Sequence, residues 1–208
     1  MNFLFSHRRE VATSTGEHVW LVGISMLLAV AIGVPLGILL TRRPRWKALV
    51  LGSTNVVQTI PSLALFGLLL PLPWLGARAD RLAIIALALY ALLPIVRNTY
   101  VGITGISAPV REAALGMGLT SAQLLWHVEL PLALPVMLAG IRVAAVITIG
   151  VATIAAAIGA GGLGEFIFRG IAMVDNSVVL AGAIPAALMA LATDFLLSAC
   201  EKLLTHRH

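Results

Sequence analysis

Charged residues are scarce in this chain of 208 residues: Asp, Glu, Lys and Arg together make up 11% of it, while apolar residues make up 60%. A soluble domain carries about 25% charged residues, so a chain with less than half that share cannot cover an ordinary water-facing surface. The composition therefore excludes a soluble globular domain and favours a bilayer. Cysteine is nearly absent too, because Cys200 is the only one. This excludes an intrachain disulfide and a cysteine metal cluster.

Lysine occurs only twice, as Lys47 in RWKAL and Lys202 in CEKLL, and neither follows a glycine. A phosphate-binding P-loop requires Gly-Lys-Ser/Thr, so the chain is not expected to be an ATPase or any other enzyme. We expect it to bind no cofactor, and an ATP-driven transporter would need a separate nucleotide-binding subunit. The histidines are scattered or terminal and predict no metal site: His7, His18, His127, His206 and His208.

The net charge of +5 does not indicate a nucleic-acid partner, because the basic residues lie at the ends of apolar runs, as the positive-inside rule describes. A spanning helix needs about 20 apolar residues. Five stretches reach that length and are expected to contact lipid: about 18–40, 48–72, 82–101, 132–158 and 178–203. Residues 1–17 are expected to form an N-terminal segment and 18–208 one membrane domain. A sixth span between Gly159 and Asn176 stays open.

The Lys and Arg counts of the loops predict the orientation of the chain. With five spans, eight basic residues fall on one side: Arg42, Arg43, Arg45, Lys47, Arg97, Arg111, Lys202 and Arg207. Five fall on the other: Arg8, Arg9, Arg78, Arg81 and Arg169. The N-terminus is therefore expected outside, and the C-terminus and residues 105–131 are expected in the cytoplasm.

The cytoplasmic stretch APVREAALGMGLTSAQLLWHVELP, residues 108–131, is polar for its surroundings. Ser107 and Pro109 predict the N-cap and first turn of a short helix, in which Glu112 lies near the positive end of the helix dipole. The small side chain of Ala113 would let another backbone approach closely. A helix this short is marginal in water, so its apolar residues need a partner.

The same stretch predicts a turn and a second short helix. Gly116 and Gly118 can end the first helix in left-handed conformations. Thr120 or Ser121 can cap the second helix, which is expected to end at Leu130–Pro131. The prediction is a helix-turn-helix unit outside the bilayer.

The same stretch resembles the EAA loop of permease subunits in bacterial ABC importers. The matching pattern is Glu-Ala-Ala, then Gly after three residues, an aliphatic residue after nine more, and Leu-Pro after one more. The residues that carry the resemblance are Glu112, Ala113, Ala114, Gly118, Val128, Leu130 and Pro131. The one departure is Val128, where isoleucine is commoner.

The resemblance implies an all-α integral membrane protein with five core transmembrane helices of the type I ABC importer fold and a cytoplasmic coupling helix pair. Glu112 to Leu115 would fill a groove on an ATPase subunit, and Gly118 would allow the sharp turn. Three partners are implied: an ATPase subunit that holds ATP and magnesium, a second permease subunit of the same or similar sequence, and an extracytoplasmic substrate-binding protein.

Three further stretches, NVVQTIPSLALFGLLLPL, LYALLPIVRNTYVGI and IGAGGLGEFIFRGI, resemble the osmoprotectant branch of these permeases, which imports glycine betaine, choline, carnitine or proline betaine. Importers of other small solutes, such as methionine or an oxyanion, share the coupling loop and remain alternatives. An ion-driven carrier is a further alternative and would use Asp194 as its buried carboxylate. A non-transporting membrane anchor is the third.

Polar side chains in the second span suggest a translocation pathway. Asn55, Gln58 and Thr59 share one helical face by their spacing, and Pro61 is expected to break the helix as in pathway-lining transporter helices. Interhelical hydrogen bonding that only holds the bundle together is an equally good interpretation. Tyr90 is one of few aromatic residues in the spans and is assigned to the pathway. Because aromatics make up 6% of the chain, specificity is expected to reside in the binding protein.

Two other groups of residues have predicted roles. Arg142 and Asp194 lie at similar depth in the fourth and fifth spans and are expected to pair, within one subunit or across a dimer, because an unpaired charge there is costly. GAGGLG fits the spacing of dinucleotide-binding turns but lacks the strand before it and the acid about 20 residues on. By resemblance, this outer loop would shape the outer gate or contact the binding protein; its residues are Gly159, Gly161, Gly162, Gly164 and Glu165.

Overall fold

The computed structural model describes residues 7–205, whose backbone is helical with short turns and no strand. The α-helices of this range are labelled in chain order: α1 (Arg8–Arg42), α2 (Lys47–Thr59), α3 (Ser62–Leu69), α4 (Pro73–Gly76), α5 (Ala79–Thr104), α6 (Ala108–Gly116), α7 (Ser121–Leu124), α8 (Leu130–Ala155), α9 (Gly164–Met173) and α10 (Asn176–Thr205). Two 3₁₀ turns and one π-turn complete them: Pro44–Trp46, Ala156–Ile158 and Leu125–Glu129. His206, Arg207 and His208 lie outside the described residues.

Four helical stretches of residues 7–205 are long and apolar enough to cross a bilayer: Arg8–Arg42, Ala79–Thr104, Ser121–Ile158 and Asn176–Leu204. At 1.5 Å per residue each measures at least about 39 Å, which exceeds the roughly 30 Å of a bilayer's hydrocarbon core. In contrast, α9 has ten residues and a length of about 15 Å. Residues 159–176 therefore contain no sixth span.

Close contacts between helices fix their directions. Helices α1 and α5 run parallel, because Gly37 lies against Thr99, and Gly33, one turn earlier, lies against Ile95. A Cβ built on Gly37 would lie 2.6 Å from the Cβ of Thr99, so the two backbones approach as only glycine allows. Helix α8 runs the opposite way, because Gly140 lies against Asn98 whereas the earlier Ala133 lies against the later Gly102. Since α1 and α5 are parallel, the chain between them must cross back.

The returning span is broken at Pro61. Helix α2 ends at Thr59, Ile60 is extended with φ −68° and ψ 129°, and α3 begins at Ser62. The residue before a proline avoids the helical region, which explains the conformation of Ile60. The stretches Pro44–Thr59 and Ser62–Leu69 are bent by 103°. The break predicted from Pro61 is confirmed, and the bent pair gives a fifth crossing.

Helix α1 begins earlier than the sequence analysis placed the first span. Residues 8–17, expected as part of a separate N-terminal segment, form its first turns. This extension has packing partners, because Val11 lies against a buried cluster of Phe166, Val178 and Ala181 from α9 and α10. The added turns are thus stabilised by tertiary contacts that a hydropathy pattern does not contain.

The core lies around α5, which packs most extensively against α1 and α8. In the most apolar 18 residues of each helix, 61% of the residues of α5 are buried within the chain, compared with only 22% of those of α10. Helix α3 reaches this core through Phe66, which is fully buried. The outward faces of α1 and α10 carry large apolar side chains such as Leu27 and Phe195, which suits contact with lipid.

Candidate functional site

The coupling segment, defined as residues 107–131, lies where α1 and α5 end and α8 begins. Ser107 has the extended backbone of an N-cap, although its side chain makes no capping hydrogen bond, and α6 follows from Ala108. Gly118 turns the chain with φ +87°. The side chain of Thr120 accepts from the backbone N–H of Gln123, whose side chain accepts from the backbone N–H of Thr120. This capping box fixes the start of α7.

Two details of the segment correct the prediction. Gly116 is the last residue of α6, not a left-handed terminator; Gly118 alone of the two has positive φ. The second helix does not end at Leu130–Pro131 but continues through the π-turn into α8. The N–H of Leu130 donates to the carbonyl of Leu125, five residues back. Pro131, which has no N–H to donate, follows directly after this π-turn.

One face of the coupling segment is turned outward. Glu112 and Ala113 are exposed, and so are the apolar side chains of Leu115 and Met117, the latter 75% exposed. Ala114 is buried within the chain, so it is not on the face that would meet a partner. Large apolar side chains exposed on a short polar helix mark an interaction surface.

One buried carboxylate, paired with two partly exposed arginines, joins this segment to the bundle. The side chain of Glu129 is 1% exposed, and both Arg42 at the end of α1 and Arg111 on α6 form ion pairs with it. The Arg111 Nε to Glu129 Oε1 distance is 3.1 Å. Arg111 also donates to the carbonyl of Ile103 on α5. We call Arg42, Arg111 and Glu129 the Glu129 cluster, and it joins α1, α5 and α6 to the start of α8.

Sequence reasoning missed the role of Glu129, although it named Val128 and Leu130 on either side. A lone acid within an apolar run was the available signal, because such an acid has to find a cation. The partners were not identifiable, since Arg42 lies 87 residues away in sequence. Val128, Leu130 and Pro131 are half-buried around the π-turn, where they shape the entry into α8.

A polar groove runs between α2, α5 and α8. It consists of two adjoining cavities of about 430 and about 580 Å³ that share Leu93, Arg97 and Val101. The first is also lined by Lys47, Asn55 and Tyr100, and the second by Gln58, Asn98 and Ile147. Two of the predicted pathway residues, Asn55 and Gln58, are therefore brought together on this groove.

The other predicted pathway residues lie elsewhere. Thr59 donates to the carbonyl of Val56 at 2.7 Å and is not among the residues lining the groove, and neither is Pro61. Tyr90 is buried in the core, and its hydroxyl donates to the carbonyl of Ile60. Because Ile60 is the extended residue at the break, Tyr90 satisfies a backbone group that the broken helix leaves open. In this structure Tyr90 stabilises the break and does not line the groove.

The structure places Arg142 and Asp194 together in the same chain, with 3.3 Å between Arg142 Nε and Asp194 Oδ1. Glu201, which sequence reasoning did not name, lies 3.4 Å from the second nitrogen of the same guanidinium. The Arg142 side chain is 31% exposed and that of Asp194 is 53% exposed. In the single chain the pair is therefore open to its surroundings.

The predicted outer-loop residues lie at the opposite end of the bundle from the coupling segment. Gly159, Gly161 and Gly162 all have positive φ, and Gly164 begins α9. The backbone N–H of Gly162 donates to the carboxylate of Glu17 on α1 at 3.0 Å. Glu165 lines an open cavity of about 560 Å³, together with Glu17, Trp20 and Asp80.

A bundle of membrane-length helices with a broken span, a polar groove and a helix pair outside the bilayer is the architecture of the membrane subunit of a transporter. The chain belongs to the family described as binding-protein-dependent transport system inner membrane component, which matches residues 33–206. It is thus a multi-pass inner-membrane transport component.

Similar proteins share nearly the whole chain. The glycine betaine/carnitine/choline transport system permease protein OpuCB of Bacillus subtilis (strain 168) is 40% identical over 205 residues, which cover 99% of this chain and 93% of that protein. The osmoprotectant import permease protein OsmW of Salmonella typhimurium (strain LT2) is 44% identical over 208 residues, 99% of this chain and 96% of that protein. Among solved structures, an inward-facing form of the MetNI methionine ABC transporter matches with a TM-score of 0.81 at 23% identity, over 90% of this chain and 93% of that one. This last likeness shows the type I importer fold.

Proposed function

We propose that the chain is the permease subunit of an ATP-driven importer for small osmoprotectants such as glycine betaine, choline or carnitine. The observation that carries the proposal is the coupling segment, which presents an exposed face while the Glu129 cluster ties it to α1, α5 and α8. A displacement of this segment would be transmitted to all three of these membrane helices. The similarity to OpuCB, a glycine betaine/carnitine/choline permease, and to OsmW, an osmoprotectant import permease, supports the solute class.

The proposed complex has three partners. A separate ATPase subunit, which holds ATP and magnesium, would bind the exposed face around Glu112, Ala113 and Leu115. A second permease subunit would complete the pathway, and an extracytoplasmic binding protein would dock at the outer end near Gly159 and Glu165. ATP binding would close the ATPase subunits, and the groove would then alternate between outward and inward openings.

The orientation follows from the same assignment. The coupling end carries Arg42, Arg43, Arg45 and Lys47, and a local excess of Lys and Arg favours the cytoplasmic side. The N-terminus would then lie outside and the C-terminus inside. An ion-driven carrier has less support, because it would need a carboxylate on the pathway. Asp194 pairs with Arg142, and no acid among residues 7–205 lines the groove.

The test is co-purification of an ATPase subunit with tagged wild-type chain and with Glu112→Lys from membranes of the native host. Because Glu112 is exposed, the substitution should leave the fold intact and reverse the charge of the docking face. We expect ATP hydrolysis in the wild-type eluate and its loss with Glu112→Lys.

The matched control is Glu165→Lys, since Glu165 is also exposed, forms no ion pair among the described residues and lies at the opposite end of the bundle. It should retain the ATPase. No ATPase with wild type, or equal loss with both variants, would contradict the proposal and return attention to the ion-driven carrier.

A further inference from the structure

Arg97 is an arginine in a membrane-length helix, and it has no acidic partner among the described residues. It lies seven positions before Thr104, the last residue of α5, which places it about 10 Å from the helix end. Arg42 and Arg111 pair with Glu129, and Arg142 pairs with Asp194 and Glu201. Within residues 7–205, Arg97 forms no such pair, and its side chain is exposed to the groove.

Charged side chains within membrane helices commonly face a cavity and mark the path of a substrate or ion. Arg97 lines both cavities of the groove, at the point where they adjoin. The other polar side chains that line the groove include neutral amides, such as Gln58 and Asn98 in the second cavity. Lys47 lines the first cavity. Because no acid of the described chain lines the groove, its field is positive and attracts an anionic group.

The groove has little to offer a quaternary ammonium group. Recognition of such a cation usually relies on open aromatic faces. Tyr100 is the aromatic residue of the groove, and the ammonium of Lys47 already lies over its ring, 4.6 Å from the centroid. A guanidinium, by contrast, offers a planar fork of N–H donors that matches a carboxylate with two parallel hydrogen bonds. The chemistry of the groove therefore selects the anionic end of a zwitterion.

We infer that Arg97 binds the carboxylate of the transported solute, so that this subunit favours carboxylated osmoprotectants, such as glycine betaine and carnitine, over choline. The inference rests on the proposed function and adds a binding residue and a preferred solute class to it. Choline shares the quaternary ammonium group but has a hydroxyl in place of the carboxylate. It therefore serves as the probe that lacks the interaction.

The experiment measures uptake of radiolabelled glycine betaine, carnitine and choline in host cells that express wild-type chain, Arg97→Gln, Arg97→Lys or the control Arg45→Gln. Arg45 is exposed in the loop after α1, outside the groove. Loss of a charge-assisted hydrogen bond predicts a fall of about ten-fold or more in betaine and carnitine uptake with Arg97→Gln. Choline uptake should change by less than about two-fold. Arg97→Lys should retain part of the uptake, because it keeps the charge but loses the fork.

A second variant keeps Arg97 in place in case its replacement impairs folding. Gln58→Glu puts a carboxylate into the same cavity, where it would occupy the guanidinium. It should lower betaine uptake while choline uptake is kept or raised. Unchanged ratios between betaine and choline in both variants would overturn the inference.

The anion could instead be the phosphate of a lipid headgroup, and phosphorus assayed in the purified protein separates the two sources. Less bound phosphorus with Arg97→Gln, together with an equal fall for all three solutes, would overturn the inference in favour of lipid. Normal betaine selectivity in wild type with no effect of Arg97→Gln would overturn the inference alone. Uptake of none of the solutes by wild type would overturn the proposed function and this inference together.

Discussion

The half of the bundle that carries the coupling segment holds its arginines in two contrasting ways. Arg42 and Arg111 close on the carboxylate of Glu129, which is shielded from solvent. Arg97, on the same side of the membrane domain, faces a groove that is lined without an acid among the described residues. The comparison teaches that one set of charges is satisfied inside the chain and fixes geometry, whereas the other leaves its charge available to a ligand.

The two environments also predict different consequences of mutation. Removing the buried Glu129 breaks two ion pairs and leaves both arginines without their acid, which costs more than a typical surface substitution. Replacing the exposed Arg97 removes no ion pair among the described residues. Stability should therefore respond to Glu129, and solute selectivity should respond to Arg97.

The largest stability effect should come from Glu129→Ala. Because it leaves the partly exposed Arg42 and Arg111 without their acid and opens a space where the buried side chain was, we expect a loss of about 1–3 kcal/mol in the free energy of unfolding. Equilibrium unfolding of the purified protein in detergent measures it. The control Glu112→Ala removes an exposed carboxylate of the same segment and should stay within about 0.5 kcal/mol. Equal losses of stability with the two variants would contradict the proposed difference between the Glu129 cluster and the exposed, unpaired charges of the described residues.

A smaller effect should separate the two glycines of the coupling segment. An added Cβ meets no atom within 4 Å at either Gly116 or Gly118, but only Gly118 has positive φ, at +87°. Gly118→Ala should therefore destabilise by about 1–2 kcal/mol through backbone strain alone. Gly116 is the last residue of α6, so Gly116→Ala should stabilise slightly, by up to about 0.5 kcal/mol. Thermal unfolding of the two variants measures both changes in stability. Changes of the same sign would contradict the turn geometry.

The smallest effect should belong to the partly exposed pair of Arg142 and Asp194. A double-mutant cycle with Arg142→Gln and Asp194→Asn should give a coupling energy of no more than about 1 kcal/mol, because the pair is open to its surroundings in the single chain and Arg142 is shared with Glu201. Unfolding of the four proteins measures it. A coupling energy well above that value would mean that another surface, such as a second permease subunit, buries the pair.

Much of the fold could be predicted because its causes are local. Long apolar runs predict spans, Pro61 predicts a break, and the residues around Thr120 predict a helix cap. Even here, chemistry alone did not decide between neighbouring candidates: Gly116 and Gly118 look equivalent in sequence, and their backbone conformations differ.

The rest depends on contacts between residues far apart in sequence. Nothing near Glu129 indicates that Arg42 comes from another helix to meet it. Tyr90 was assigned to the pathway as one of few aromatic residues in the spans, but its hydroxyl is used by the broken backbone at Ile60. Arg97 entered the prediction only as a count in the positive-inside rule, because its exposure to a groove depends on how α2, α5 and α8 pack.

The central claim is that the Glu129 cluster transmits motion from the coupling segment to the membrane helices. The most direct test reconstitutes the complete importer in vesicles and measures ATP hydrolysis and betaine uptake together, for wild type and for Glu129→Gln, which keeps the shape of the side chain but loses its charge. The account predicts hydrolysis close to the wild-type rate, with uptake per ATP lower by about two- to thirty-fold, the range that coupling energies of about 0.5–2 kcal/mol produce. Unchanged uptake per ATP in a properly assembled Glu129→Gln complex would contradict it.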